Sequence, residues 1–266
     1  ISNIANPRLI ISYLGFKSQI KSIRSETTDL GIIELEWDNK LEEVVVSGTL
    51  KPVSKNDSPI PIEVYGQNFF KANPTATVFE ALENVNGIRP QLNCSICSTG
   101  EIRINGQEGS YTMVMIDGLP IVSGLSTVYG FSGIPQALIE RIEIIKGPAS
   151  SLFGSEAVAG VINLITQLPE NSSKLSVDSF VSSWGEVNTD LAYKYSLSKK
   201  TTGLLGVNYF NYSYPIDKNE DGFTDLTMQN RISIFNKFNH VNKFSIATRF
   251  VYEDRWGGQM NWLPIH

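Results

Sequence analysis

The sequence predicts a membrane β-barrel entered through a compact α/β block, on three observations. After Leu168-Pro169-Glu170, five β-like runs at 174–186, 188–198, 203–214, 226–238 and 243–253 follow one another. They have about the length that crosses a bilayer at a tilt, roughly 9–11 residues. Their side chains alternate. Leu191, Tyr193, Tyr195 and Leu197 fall on one face and Ala192, Lys194, Ser196 and Ser198 on the other. Phe244, Ile246, Thr248, Phe250 and Tyr252 oppose Ser245, Ala247, Arg249 and Glu253 in the same way. The connectors are unequal: Lys199–Thr202 and His240–Asn242 are short, while Pro215–Asp225 and the stretch from Arg255 are long. Short turns on one side and long loops on the other characterise an outer-membrane barrel. Periodicity alone also admits a soluble sandwich.

Composition narrows the class. The 266 residues are 41% hydrophobic and 18% charged with a formal charge of −5, which argues against a nucleic-acid groove. Plentiful Gly, Tyr and Phe suit a β-rich chain with many turns. No stretch reaches the roughly 18 apolar residues of a transmembrane helix, a test that β-barrels also pass. Ile1 begins mid-pattern without Met or a basic n-region, so no signal peptide is read there.

Along the chain, residues 1–37 read as the end of a small β-sandwich, with Ile32-Ile33-Glu34-Leu35-Glu36 alternating cleanly. Residues 38–61 read as a linker, with Pro52, Pro59 and Pro61 following one isolated β-prone segment, Glu42–Gly48. Residues 62–168 read as the α/β block. A helix is expected from Thr75 to Leu82 with Thr75 as N-cap, and strands at Glu101–Asn105, Tyr111–Asp117, Ile139–Lys146 and Val158–Ile165. Asp117-Gly118 is a turn dipeptide, and Pro135 is expected to open a short helix. Residues 169–266 read as barrel strands and loops.

The run Ile139-Glu140-Arg141-Ile142-Glu143-Ile144-Ile145-Lys146-Gly147-Pro148-Ala149-Ser150-Ser151-Leu152-Phe153-Gly154, followed by Ala157–Thr166, resembles the most characteristic segment of TonB-dependent receptor plug domains. Ile102-Arg103-Ile104-Asn105-Gly106 resembles that family's IRG strand, with Asn105 interposed. Met115-Ile116-Asp117-Gly118-Leu119-Pro120 resembles its IDG-x-P hairpin, and the resemblance spans roughly 42–253. It implies a membrane β-barrel of about 22 strands with an N-terminal α/β plug domain in its lumen, of which only the first five strands lie here. Glu42-Glu43-Val44-Val45-Val46-Ser47-Gly48 resembles a TonB box. A β-branched tripeptide with no local partner suits addition to another protein's sheet edge, and the alternative is a strand of the preceding module. Residues 9–36 look like the tail of the Ig-like, carboxypeptidase-regulatory-type extension of receptors of the Bacteroidota.

The resemblance implies active import of a scarce nutrient, driven by the proton-motive force, across the outer membrane of a Gram-negative bacterium. The cargo classes are metal complexes, haem, siderophores and cobalamin. Implied partners are TonB with its inner-membrane motor, the lipid bilayer, a surface lipoprotein and the small-molecule ligand; nucleic acid is not among them. The residues agree that no covalent chemistry is expected and no cofactor required. His240 and His266 are the only histidines, and neither a His-Glu-x-x-His pair, a Gly-x-Ser-x-Gly elbow nor a phosphate loop occurs. The alternative is a non-transporting structural or sensing subunit of an outer-membrane complex, and a soluble adhesin-like β-protein is a third reading.

Further residues bear on the ligand. Cys94-Ser95-Ile96-Cys97 reads as a local disulfide, a copper(I) site completed by Met113, Met115 or Met260, or a pair without a role. Asp217, Asn219, Asp221 and Asp225 place oxygens as a calcium loop does, with Gly222 at the sixth position, but Met228 stands where the bidentate Glu belongs. An acidic solvated loop is the other reading. Tyr129, Phe131, Trp256, Met260 and Trp262 are ligand-pocket candidates, or ordinary barrel aromatics. Arg103, Glu140, Arg141 and Glu143 are expected at a polar interface between plug and barrel.

Overall fold

The computed structural model describes residues 8–11, 19–22, 33–35, 44–47, 53–94, 97, 99–121, 131, 134–240 and 244–262. Two short antiparallel pairs come first: β1 (Arg8–Ile11) with β2 (Gln19–Ser22), and β3 (Val44–Val45) with β4 (Val53–Ser54). The isolation expected for the 42–48 segment is therefore corrected, because β4 supplies Val44 and Val45 with a local partner.

The α/β block follows, with β5 (Glu63–Gly66), α1 (Gln67–Ala72), α2 (Val78–Ala81), β6 (Ile88–Cys94), β7 (Thr99–Ile104), β8 (Thr112–Ile116), β9 (Leu119–Pro120), β10 (Ile139–Lys146), α3 (Ser150–Phe153) and β11 (Gly160–Thr166). Its sheet runs β5-β10-β11-β8-β9, with β11 parallel to β8 and the other pairs antiparallel. β10 and β11 are covered on both faces, which is why they read as β-branched runs rather than strict alternation. One face carries Val114, Ile142, Ile144, Ile162 and Leu164 against Val78, Phe79 and Leu82. The opposite face carries Met113, Met115, Ile145 and Val161 against Val45, Ile62, Ala149 and Ala157.

Local signals account for the edges of these elements. α2 begins two residues later than the Thr75 cap implies: Thr77 is the N-cap, its Oγ1 accepting from Glu80 N at 3.2 Å. Thr77-Val78-Phe79-Glu80 has the Thr-x-x-Glu spacing of a capping box, and Glu80 Oε2 reaches back to Ala76 N at 3.1 Å. Pro135 leads into a single 3-10 turn, Gln136–Leu138. Asp117 and Gly118 both have positive φ, 50° and 81°, as the two central residues of a type I′ hairpin turn must.

A second sheet runs in the order β12 (Leu175–Val181), β13 (Val187–Ser198), β14 (Thr201–Tyr212), β15 (Met228–His240), β16 (Phe244–Trp256), antiparallel throughout. The first expected run is cut short at Val181, where the chain turns through Gly185 at φ 86°. On β15, Arg231, Ser233, Phe235 and Lys237 are buried while Ile232 and Ile234 are exposed. Tyr193, Leu197, Phe250 and Tyr252 share the exposed side, so the outer surface is apolar. The buried side packs on the plug, and Ala192, Leu204 and Phe235 join the same core as Leu138, Ile139 and Ile142. Gly206 marks the closest approach: a Cβ there would lie 2.2 Å from Leu138 Cδ1. No helix among the described residues is long and apolar enough to cross a membrane.

Candidate functional site

The expected partner-binding segment lies on the Met113–Val161 face of the plug sheet. Val45 is fully buried there, worth about 1.5–3 kcal/mol for a side chain of its size. Beyond it the contacts become polar. Val46 N and Ser47 N donate to Glu143 Oε2 at 2.9 and 2.8 Å, and Ser47 Oγ donates to the same oxygen at 2.7 Å. Glu143 has no exposed surface, and its other oxygen accepts from Arg141 Nε at 3.0 Å and Nη2 at 2.9 Å. A carboxylate removed from water is sustained by a guanidinium and charge-assisted donors of this kind. Among the described residues Glu143 is thus bonded to Arg141 and the 44–47 segment rather than to the wall strands expected for it. Arg141 also pairs with Glu140, and Arg103 pairs with Glu101 within the plug.

Asn163 sits opposite Glu143 in the β10–β11 register and is equally buried. Its Nδ2 donates to Ser47 Oγ at 3.0 Å, while its Oδ1 accepts from Gly118 N at 3.0 Å. The neighbouring Asp117 accepts from Thr166 N at 2.8 Å, from Thr166 Oγ1 at 2.7 Å, and from Lys237 Nζ at 2.9 Å. Lys237 comes from the second sheet, so one polar chain links the 44–47 segment to the wall. Sequence reasoning missed Asn163, Asp117 and Lys237 in this role. The available signals were a polar residue inside Val161-Ile162-Asn163-Leu164-Ile165 and a lysine in the inward row of β15.

A second polar contact joins plug and wall near α2. Arg231 is 1% exposed, donates to Ala76 O at 2.7 Å, and lies over the Phe210 ring at 5.2 Å. Asn208 ties it to Asn188 and Asp190. Burial pushes the Glu80 carboxyl above its ordinary range, opposed by the Arg231 charge and the Ala76 N–H.

The remaining candidates are scattered. Cys97 N donates to Cys94 Sγ at 3.2 Å at the tip of the β6–β7 hairpin, whereas Met113 and Met115 lie beneath Val45. In the 217–225 loop the carboxylates accept from the loop's own backbone. Asp217 takes Asp221 N and Gly222 N at 3.2 and 2.9 Å, Asp221 takes Phe223 N at 2.9 Å, and Asp225 takes Lys218 N at 2.8 Å. Asn219 Oδ1 likewise accepts from Asp221 N at 3.2 Å. Among the described residues no group of three or more His, Cys, Asp or Glu is placed to hold a metal ion. Phe131, expected in a ligand pocket, is instead fully buried in the plug core. Trp256 packs with Phe210, Tyr212 and Met228, and Met260 N donates to Gly222 O at 2.8 Å, which ties the two long loops together. Glu42, Glu43, Gly48, Tyr129 and the Trp262 side chain lie outside the described residues.

Residues 54–161 match the family model of the TonB-dependent receptor plug domain. The siderophore receptor PiuA from Acinetobacter baumannii superposes with a TM-score of 0.61 at 17% identity, over 79% of this chain and 28% of its own. The siderophore receptor PirA from the same organism gives 0.56 at 20% identity, over 74% and 32%. The pyoverdine outer membrane receptor FpvA from Pseudomonas aeruginosa gives 0.57 at 16% identity, over 80% and 30%. The chain thus spans under a third of the length of these receptors, and the likeness at such identities is one of fold. Residues 54–161 thus match the plug-domain family of TonB-dependent receptors, and most of the chain shares its fold with the corresponding part of these solved receptors.

Proposed function

We propose that these residues belong to a TonB-dependent receptor that imports a scarce nutrient across the outer membrane of a Gram-negative bacterium. The observation that carries the reading is the storage of Val44–Ser47: a segment of strand-adding sequence is held under the plug by a two-residue strand, one buried valine, the Glu143 carboxylate and the Asn163 amide. Such a segment is suited to leave and pair with a sheet edge of TonB in the periplasm. The proton-motive force, delivered through TonB, then pulls on the plug. The apolar outer faces of β12–β16 suit a bilayer, and the inward row of β15 suits a lumen filled by the plug. The solved receptors of like fold are named for siderophores, which favours a metal complex as the cargo, with haem and cobalamin as further classes.

Deletion of residues 42–48 from the full-length receptor, in cells limited for iron, tests this. Loss of growth with the protein still in the outer membrane is the expected result. Undiminished growth on every limiting nutrient tried would instead make the protein a structural or sensing subunit. A product that stays in solution after membranes are pelleted would make it a soluble β-protein.

A further inference from the structure

We infer that Lys237 on the second sheet governs how firmly the 44–47 segment is stored, through a directional hydrogen-bond chain ending on Glu143. The inference rests on the import reading above for its purpose, though its geometry stands apart from it.

The chain has one sense along its length. Gly118 N–H donates to Asn163 Oδ1, Asn163 Nδ2 donates to Ser47 Oγ, and Ser47 Oγ donates to Glu143 Oε2, at 3.0, 3.0 and 2.7 Å. Asn163 can do this in one amide orientation only. Turned over, its NH2 would face the Gly118 N–H, donor against donor, and Ser47 Oγ would meet an acceptor while its proton is committed to Glu143. Gly118 therefore sets the amide, and the amide sets Ser47.

Gly118 is in turn placed by its neighbour. Asp117 is tied to β11 through Thr166, and Lys237 Nζ bridges Asp117 Oδ2 and Thr166 Oγ1 at 2.9 and 2.8 Å. Lys237 is 5% exposed, so its charge is stored against Asp117 with little help from solvent. A shift of the plug against the wall at this point parts Lys237 from Asp117 and moves the Asp117-Gly118 turn. The Asn163 amide is then released, and Ser47 loses the donor that keeps its hydroxyl aimed at Glu143.

Apart from Arg141, which pairs with Glu143, the face that receives the segment is apolar, with Met113, Met115, Ile145 and Val161 around the Glu143–Asn163 pair. Two buried polar side chains in such a face are costly unless bonded; Arg141 and Gly118 satisfy one oxygen of each, and Val46 and Ser47 supply the remaining partners. Lys237 is thus a positioning residue, acting on the segment through Asp117 and Thr166, then Gly118 and Asn163.

The test is amide hydrogen exchange on the full-length receptor in detergent with no ligand added, read on peptides covering Val45–Ser47. Lys237→Met is expected to speed exchange there about tenfold or more, Lys237→Arg to restore most of the protection, and Glu143→Gln to match or exceed Lys237→Met. The Lys237→Met/Glu143→Gln double variant is expected to exchange no faster than Glu143→Gln alone, with β8 and β11 protected throughout as the fold control. Faster exchange in Glu143→Gln but not in Lys237→Met would leave the clamp and overturn the relay. Unchanged exchange in Glu143→Gln would overturn both. Binding of the purified C-terminal domain of TonB to the same variants is a separate readout. No binding by any of them, with the exchange pattern as expected, would count against the import reading and leave the relay standing.

Discussion

Glu143 and Asn163 face each other across β10 and β11, and both end on Ser47, at 2.7 and 3.0 Å. Two buried polar side chains of the plug are therefore completed by a segment that lies before it in the chain. The segment's retention is a balance of this polar clamp, the two-residue pairing with β4 and the burial of Val45.

Truncating the apolar part of that balance is the first prediction. Val45→Ala removes two methyl groups from a fully buried position, worth roughly 1–2 kcal/mol. The Glu143 contacts are left in place. Limited proteolysis of the full-length receptor is expected to cut between residues 36 and 52 several times faster, with the rest of the plug uncut. An unchanged cutting rate would show that the clamp alone retains the segment.

The fit between plug and wall gives the second. A Cβ at Gly206 would meet Leu138 Cδ1 at 2.2 Å and Cγ at 2.7 Å. Gly206→Ala is expected to destabilise by about 1–3 kcal/mol through overpacking. Leu138→Ala is costly by itself, but in its presence the Gly206→Ala penalty is expected to vanish. Urea titrations of the two single variants and the double variant measure that coupling, and simple additivity would show that the two groups do not meet.

The third concerns pH. Burial raises the Glu80 carboxyl above its ordinary value of 4.5, against the opposing Arg231 charge. A carboxyl raised in the folded state contributes stability that is complete below its unfolded value and is lost as pH climbs through the folded value. Stability of the wild type relative to Glu80→Gln is therefore expected to fall as pH rises above 4.5. Melting temperatures of the pair across that range decide it, and a wild type that gains on the variant with rising pH would reverse the sign.

The fourth separates the faces of the second sheet. Phe250 is 59% exposed in mid-strand on β16, on the side proposed to meet lipid. Phe250→Arg is expected to cost about 2–4 kcal/mol near a bilayer midplane. Refolding of the full-length receptor into phospholipid vesicles is expected to fall accordingly, whereas folding in a soluble context would tolerate the change. Equal refolding of variant and wild type would remove Phe250 from the lipid face.

Much of the fold was legible because its causes are local. The type I′ turn at Asp117-Gly118 follows from two adjacent residues that tolerate positive φ, and the wall strands follow from a period of two. The shift of the N-cap from Thr75 to Thr77 was also readable, since Glu80 lies three residues after Thr77. Phe131 was not legible as a core residue. An aromatic in a glycine-rich stretch is equally suited to a pocket or a core, and only packing against the plug strands decides between them.

The same division holds for the stored segment. By itself the sequence determined that Val44-Val45-Val46 is β-prone, that strands lie at Ile139–Lys146 and around Val158–Ile165 (observed at Gly160–Thr166), and that five long runs follow them, because side-chain branching and periodicity act on neighbours. Which carboxylate holds Ser47, and which lysine braces the turn behind it, only the tertiary structure decided. Glu143 lies 96 residues from Ser47 in the chain, Asn163 lies 116 from it, and Lys237 lies 120 from Asp117. A buried charge selects its partner by distance and desolvation once the sheets are packed, and no local pattern encodes that choice.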